Sequence, residues 1–132
     1  MAERGVEVRL RDLDRKQLDA AVVAHQGEID KKRKRKQLQR HEADAALDRL
    51  TVTTEAVGFA RCQLVIEAVA EKLEIKRAVL RELAAQMGDE AILATNTSSL
   101  SVDAIAEGLP NPSRVVGMHF FNPPRKMSLV EI

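Results

Sequence analysis

The sequence contains no tryptophan or tyrosine, a single cysteine and no long apolar run. The lone Cys62 excludes an internal disulfide, is expected to be a small buried apolar side chain, and favours a reducing compartment. No stretch approaches the roughly 20 apolar residues of a membrane span, and the amino terminus has no apolar signal segment. We therefore expect a cytoplasmic protein without a membrane span. The near balance of charges, a net +1, gives no overall field that selects nucleic acid.

Apolar residues make up 45% and charged residues 31% of the 132 positions, which indicates one globular domain. Hydrophobic periodicity predicts strands that alternate with helices. The predicted strands cover residues 6–12, 50–54, 64–69, 91–95 and 114–119. The predicted helices run from an N-cap at Asp14 through residue 36, and over residues 42–50, 73–87 and 101–108. Strands 64–69 and 91–95 are nearly continuous apolar runs, which predicts an α/β fold whose open parallel sheet is buried on both faces.

The carboxyl-terminal segment carries the clearest chemical signal in the sequence. His119 ends an apolar run, a turn-forming Asn-Pro-Pro follows at 122–124, and Glu131 stands 12 positions after the histidine. The pattern predicts a strand, a reversal and the start of a second strand. The reversal can bring Glu131 against the imidazole, and a carboxylate that holds a histidine in one tautomer is the usual equipment of a general base. The alternative is that His119 is a half-buried histidine satisfied within the fold.

Four polar clusters stand where predicted strands end. They are Asp12, residues 67–71, residues 96–99 and residues 119–122. In an open parallel sheet, ligands bind beyond the carboxyl ends of the strands, so we expect these clusters to share one groove. The other two histidines have no metal-ligand neighbours in the sequence, and no metal site is expected.

Individual polar residues have second interpretations that the sequence leaves open. Asp12 could accept the ribose hydroxyls of an adenine dinucleotide, or it could form an Asx turn beside Asp14. Ser98 could bind a substrate oxygen or form a turn before the next helix. Lys76 could reach a ribose or a phosphate, although we expect it on a solvated helix face. The basic run 31–36 could bind a phosphate or nucleic acid, but no aromatic residues interleave it, and we expect a solvated helix surface.

Three segments together resemble a known family. They read LVIEAVAE at 64–71, NTSSL at 96–100 and GMHFFNP at 117–123. In combination and order they resemble the 3-hydroxyacyl-CoA dehydrogenases, with the closest likeness to the dehydrogenase part of the multifunctional fatty-acid β-oxidation enzymes. The resemblance covers the whole chain.

This resemblance implies NAD-dependent oxidation of 3-hydroxyacyl-CoA to 3-oxoacyl-CoA in fatty-acid β-oxidation, with NAD as cofactor and acyl-CoA as substrate. It implies that His119 removes the proton of the 3-hydroxyl while hydride passes to NAD, and that Glu131 orients this histidine. By the same resemblance, Ser98 contacts the substrate oxygen near the nicotinamide and Asp12 binds the adenosine ribose. The other positions that match the NAD site are Val69, Ala70, Glu71, Lys76 and Asn122.

Two features of the family are missing from the sequence. The G-x-G-x-x-G turn and the strand before it, which receive the pyrophosphate, have no counterpart, and Gly5 stands where the helix after that turn should end. The carboxyl-terminal helical domain, which supplies most of the acyl pocket, is also absent. We therefore expect residues 1–132 to form an incomplete Rossmann-like NAD-binding domain with a helical insertion at about 14–50. Its expected partners are the missing domains of the same enzyme or a second copy of itself.

Two functions of other classes also fit the sequence. The chain could be a non-catalytic remnant that serves as a packing or oligomerisation module, in which case it would have no affinity for NAD. It could also be a nucleic-acid-binding module that uses the basic run, in which case its binding to oligonucleotides would depend on salt.

Overall fold

The computed structural model describes residues 1–124, 127 and 129–132, and these residues divide into two compact units, Met1–Val57 and Gly58–Ile132. Each unit contains parallel strands and helices, so the chain has the α/β fold that its periodicity predicts. Among the helices in these ranges, none combines the length and the apolar character that crossing a bilayer requires.

The first unit contains two strands and two helices after a short 3₁₀ turn. Its elements are the turn Ala2–Arg4, β1 (Val8–Arg11), α1 (Arg15–Lys34), α2 (Arg40–Asp48) and β2 (Leu50–Thr53). Strands β1 and β2 pair in parallel, with Val8 opposite Leu50. Gly5 ends the turn with a φ of 88°, which glycine adopts without strain. The Asp14 side chain caps α1 by accepting the N–H of Lys16 at 2.9 Å, which confirms the predicted N-cap.

Helices α1 and α2 pack through a small apolar cluster. Ile29 of α1 is buried together with Ala43 and Ala46 of α2, and the short alanine side chains allow the helices to approach closely. The Nε2 atom of His25 lies 3.1 Å from the carbonyl oxygen of Ala46 and adds a polar link between the two helices.

The basic run 31–36 lies at the carboxyl end of α1. Three of its cations pair with acids of the same unit. These pairs are Lys31–Glu28, Lys32–Glu3 and Arg33–Asp30. The helix ends at Lys34, before the predicted end at residue 36, because Lys36 has left the helical region with a φ of 57°. Cations in the last turn also interact favourably with the helix dipole, so the run has a structural role in α1.

The second unit contains a three-stranded parallel sheet and a short antiparallel pair. Its elements are β3 (Leu64–Glu67), α3 (Leu73–Ala84), β4 (Ile92–Thr95), α4 (Val102–Ala106), the 3₁₀ turn Pro112–Arg114, β5 (Val115–Gly117), β6 (His119–Phe120) and β7 (Val130–Glu131). The parallel sheet has the order β3-β4-β5. Leu93 lies opposite Val65 on one side and opposite Val115 on the other. Strands β6 and β7 are antiparallel.

The core of the second unit lies between its helices and one face of the parallel sheet. Leu80 and Leu83 of α3 and Ile105 of α4 are buried in one cluster with Val65 and Leu93 of the sheet. Complete burial of one such side chain contributes about 2 kcal/mol relative to exposure. This packing holds the carboxyl ends of the strands in fixed positions.

The other face of this sheet is buried only in part: Ala94 of β4 is 0% exposed there, whereas the first residues of β3 and β4 are not buried. Leu64 and Ile92, which lie opposite each other in β3 and β4, are 36% and 46% exposed. The reason is that α3 and α4 both pack on the opposite face.

Two predicted strands end earlier than their apolar runs. Strand 64–69 ends at Glu67, because the N–H of Val69 turns back to the Glu67 carboxylate at 2.6 Å. Strand 114–119 becomes two strands, because His119 and Phe120 pair with β7 instead of continuing in the parallel sheet. Both changes occur at the carboxyl edge of the sheet, where the polar clusters lie.

Candidate active site

The antiparallel pairing of β6 and β7 places His119 directly opposite Glu131. The Nδ1 atom of His119 lies 3.3 Å from Oε2 of Glu131. The ring of Phe121 packs against the imidazole, with ring centroids 4.7 Å apart. Two neighbours therefore fix the imidazole. Because Nδ1 faces the carboxylate, Nε2 is the nitrogen that can accept a proton from a bound molecule.

His119 and Glu131 line an open cleft of about 310 Å³ in the second unit. The other lining residues are Thr97, Ser98, Ser99, Leu100, Val102, Gly117, Met118 and Ile132. Residues 97–100 follow β4, and Gly117 and Met118 lie at the carboxyl end of β5, where parallel α/β sheets bind ligands. The volume suits a small-molecule site. The cleft brings together Ser98, His119 and Glu131, the three residues proposed from the sequence as catalytic.

The loop after β4 is held by the carboxylate of Glu71. Oε1 of Glu71 accepts the N–H of Ser98 at 3.2 Å and the hydroxyl of Ser99 at 3.3 Å. It also accepts the hydroxyl of Thr97, and this hydrogen bond is the largest cause of a pKa lowered from 4.5 to about 2. Burial opposes the decrease in pKa, while the ammonium of Lys76 and the N–H of Ser98 add to it. Glu71 is therefore ionised at neutral pH, and it fixes the backbone that carries Ser98.

The structure corrects the expectation that Lys76 lies on a solvated helix face. The side chain of Lys76 is 0% exposed. Its Nζ atom lies 3.0 Å from Oε1 of Glu67 and 3.3 Å from Oε2 of Glu71. It also donates to the backbone carbonyl of Asn96 at 3.2 Å. In this arrangement the ammonium faces protein groups.

Two further residues of the site appeared in the sequence only as members of polar clusters. Glu67, which is 3% exposed, accepts the hydroxyl of Thr95 at 2.7 Å. The side-chain oxygen of Asn96 accepts the N–H of Phe120 at 3.1 Å, and this bond ties the end of β4 to the strand that carries His119. The signal that could have found Glu67 and Asn96 is their place at the carboxyl ends of parallel strands.

The other residues proposed from the sequence to bind NAD are exposed. Val69 and Ala70 lie in the loop after β3, and Asn122 follows β6. In the first unit, Asp12 follows β1 and accepts the N–H of Asp14 at 2.8 Å, which is the Asx turn that the sequence left open. The turn does not exclude a ribose contact, because a carboxylate accepts several hydrogen bonds.

A parallel α/β sheet with a polar cleft at the carboxyl ends of its strands is the architecture of a dinucleotide-binding domain. Comparison with known proteins agrees with this class. The chain belongs to the family "3-hydroxyacyl-CoA dehydrogenase, NAD binding domain", whose sequence pattern matches residues 1–132. The cofactor of this family of domains is NAD.

Individual relatives are considerably longer than this chain. It is 38% identical over 131 residues to the 3-hydroxyadipyl-CoA dehydrogenase of Escherichia coli K12, a match that covers 99% of this chain and 28% of the relative. It is 37% identical over 131 residues to the fatty acid oxidation complex subunit alpha of Psychrobacter cryohalolentis, with 99% and 18% covered. A crystal structure of 3-hydroxybutyryl-CoA dehydrogenase from Escherichia coli K12 matches with a TM-score of 0.89 and 38% identity, over 98% of this chain and 27% of that one.

Proposed function

We propose that the enzyme containing this chain oxidises the 3-hydroxyl of a 3-hydroxyacyl-CoA to a 3-oxo group, with NAD as the oxidant. The single observation that carries the proposal is the contact between His119 and Glu131 in the same cleft as Ser98. A base, an acid that orients it and a group that binds oxygen are what the removal of a hydroxyl proton requires. A role in fatty-acid β-oxidation is supported by the relative that is a subunit of a fatty acid oxidation complex.

In this proposal, His119 is the general base. Glu131 accepts a hydrogen bond from Nδ1–H, which leaves Nε2 free to take the proton of the substrate hydroxyl, and the carboxylate then stabilises the imidazolium. Ser98 donates a hydrogen bond to the substrate oxygen. The hydrogen bond from the Ser98 N–H to Glu71 keeps the serine in place. A base held in this way accelerates a reaction by about 10²–10⁴-fold.

NAD, when bound, supplies the hydride acceptor for this reaction. The chemistry of the exposed groups fits the cofactor, because Glu71 is an ionised carboxylate and Asp12 is an acid after a parallel strand, where ribose hydroxyls bind. The residues proposed to hold NAD are Asp12, Val69, Ala70, Glu71, Ser98 and Asn122. The sequence has no G-x-G-x-x-G turn, so the pyrophosphate would be bound by a segment outside this sequence.

We further infer that residues 1–132 form part of the NAD-binding domain, with α1 and α2 as a helical insertion at about 14–50, and that other segments supply the acyl pocket. The support is that the chain covers only 28% and 18% of two relatives. The polypeptide of 132 residues is then expected to have no measurable dehydrogenase activity on its own and to bind NAD weakly or not at all. The alternative, a non-catalytic packing module, predicts no contribution to NAD binding in any context.

The test is to exchange the matching segment of the Escherichia coli relative for this chain and to follow NADH formation from 3-hydroxyacyl-CoA substrates. We expect the graft to be active, and we expect His119→Ala to lower turnover by about 10²-fold or more. His41→Ala, at an exposed position of α2, is the matched control and should leave turnover unchanged. A folded graft that binds NAD but is inactive, or that keeps its turnover without His119, would refute the proposal. A folded graft without NAD affinity would favour the packing module.

A further inference from the structure

Lys76 of α3 is a buried cation beneath the proposed site. Besides Glu67 and Glu71, its Nζ atom faces two backbone carbonyls, those of Asn96 at 3.2 Å and Val69 at 3.5 Å. An ammonium has three protons, and these acceptors are enough to use all of them. Glu67 provides the counter-charge that a buried ammonium needs.

The position of Lys76 first affects the loop after β4, because Lys76 contacts Glu71, which holds that loop. The Oε2 atom of Glu71 lies 3.3 Å from Nζ of Lys76, while Oε1 holds Ser98 and Ser99. The ammonium therefore fixes one end of the carboxylate whose other end holds the serine loop. Without it, the Glu71 side chain could rotate away from the loop, because 38% of its surface is exposed to solvent.

The position of Lys76 also affects β6, the strand of His119, because Lys76 contacts Asn96, which is bonded to that strand. Nζ of Lys76 donates to the Asn96 carbonyl, and the Asn96 N–H donates to the carbonyl of Glu67 at 2.7 Å. The backbone of Asn96 is thus held on both sides. Its side-chain oxygen is then placed to accept the N–H of Phe120, the residue after His119.

From these contacts we propose that Lys76 is a positioning residue that sets both halves of the catalytic centre, acting through Glu71 on the loop of Ser98 and through Asn96 on the strand of His119. The inference rests on the proposed function, since it takes Ser98 and His119 as the groups that meet the substrate. This role is distinct from the contact with NAD that the resemblance implies for Lys76.

The first test needs no variant. In ¹⁵N spectra of the 132-residue chain, the Lys76 ammonium should give a resolved signal whose protons exchange slowly with water, because it is buried and bonded to acceptors. The ammonium of Lys34, exposed at the end of α1, should exchange too fast to be seen under the same conditions. If the Lys76 ammonium also exchanges too fast to be seen, the proposal is overturned.

The second test removes both buried charges together, in Glu67→Gln/Lys76→Met, so that no unpaired charge is left inside. We expect the pKa of Glu71, followed by carboxyl ¹³C titration, to rise by about one unit, because an opposite charge nearby has been lost. We also expect the amide protons of Ser98 and Phe120 to exchange about tenfold faster, because the groups that accept them are no longer fixed. If the variant folds and none of these three readouts moves, Lys76 does not position the site.

The matched control is Val79→Ala, which removes apolar packing from the same helix without touching the Lys76 contacts. It should lower the unfolding midpoint and leave the Glu71 titration and the two amides unchanged. Equal effects in the control and in the double variant would show a purely structural role and overturn the proposal.

A further pair of variants tests the Asn96 branch of the proposal, in which Lys76 acts through Asn96 on the strand of His119. This test can be made even if the double variant does not fold. Asn96→Leu should accelerate exchange of the Phe120 amide, and Asn96→Asp, which keeps an acceptor oxygen, should restore protection. If Asn96→Leu leaves this amide protected, the branch is wrong. All these readouts come from the unliganded chain. If the chain shows the expected readouts but the graft has no dehydrogenase activity, the proposed function is refuted and the positioning role of Lys76 is not.

Discussion

The carboxylate of Glu71 makes a pH-dependent contribution to stability whose sign and size follow from the structure. Its pKa is lowered from 4.5 to about 2, first by the hydrogen bond from Thr97 and then by Lys76 and the Ser98 N–H. Because the pKa in the folded state lies below that of the unfolded chain, the contribution is complete above about pH 4.5 and is lost as the pH falls toward 2. Glu71→Gln mimics the protonated side chain at every pH.

A decrease of this size would correspond to about 3 kcal/mol in a site without solvent. The Glu71 side chain is 38% exposed, and solvent screening reduces the effect of exposed charges several-fold. We therefore expect Glu71→Gln to lower the free energy of unfolding by about 1 kcal/mol at pH 7. The difference between the two proteins should decrease as the pH falls from about 4.5 toward 2.

Urea unfolding of the wild-type chain and of Glu71→Gln, at a series of pH values from 7 to about 3, measures this difference directly. Other carboxylates that titrate in this range affect both proteins and cancel in the comparison. Glu90→Gln, at an exposed position between α3 and β4, is the matched control and should change stability by less than about 0.5 kcal/mol at any pH. A difference for Glu71→Gln that stays constant as the pH falls, or grows, would refute the reasoning.

Three further predictions concern the base, the cofactor and the fold. In the grafted enzyme, Glu131→Gln should lower turnover while leaving NAD affinity unchanged, because the amide no longer supports an imidazolium on His119; unchanged kcat would remove Glu131 from the mechanism. Asp12→Ala in the same graft should narrow the preference for NAD over NADP, measured as the ratio of kcat/KM values, because the acid repels a 2′-phosphate; a ratio that does not move would argue for the Asx turn alone. Asp14→Ala should lower the free energy of unfolding by about 1 kcal/mol in urea titrations, because the N–H of Lys16 loses its acceptor, and an effect below about 0.3 kcal/mol would contradict the cap.

Much of the fold could be predicted from local signals in the sequence. The N-cap at Asp14 and the helix of α3 follow from side chains that act on their own or neighbouring turns. The approach of Glu131 to His119 is also nearly local, since the two residues are 12 positions apart and pair in two short antiparallel strands. The burial of the sheet was harder to predict, because a continuous apolar run does not reveal on which face the helices will pack.

The burial of Lys76 could not be predicted from local signals in the sequence. In the structure the residue shares the spacing of Leu73, Leu80 and Leu83, which form the apolar stripe of α3. Its charge was the reason for predicting a solvated position, and this prediction was wrong. A buried ammonium is tolerated only when a counter-charge meets it, and Glu67 belongs to a different element of the fold.

The role of Asn96 depends on the tertiary structure in the same way. The amide of Phe120 needs an acceptor because β6 leaves the parallel sheet, and that departure follows from the pairing with β7. An asparagine at the end of β4 meets this need only once β4 and β6 are neighbours. Polar residues at strand ends can therefore be recognised in a sequence as parts of a site. Which of these residues contact the substrate and which position other residues is known only once the hydrogen bonds are known. Ser98 and Asn96 are both polar residues that follow β4, but Ser98 lines the cleft, whereas the side chain of Asn96 accepts the N–H of Phe120.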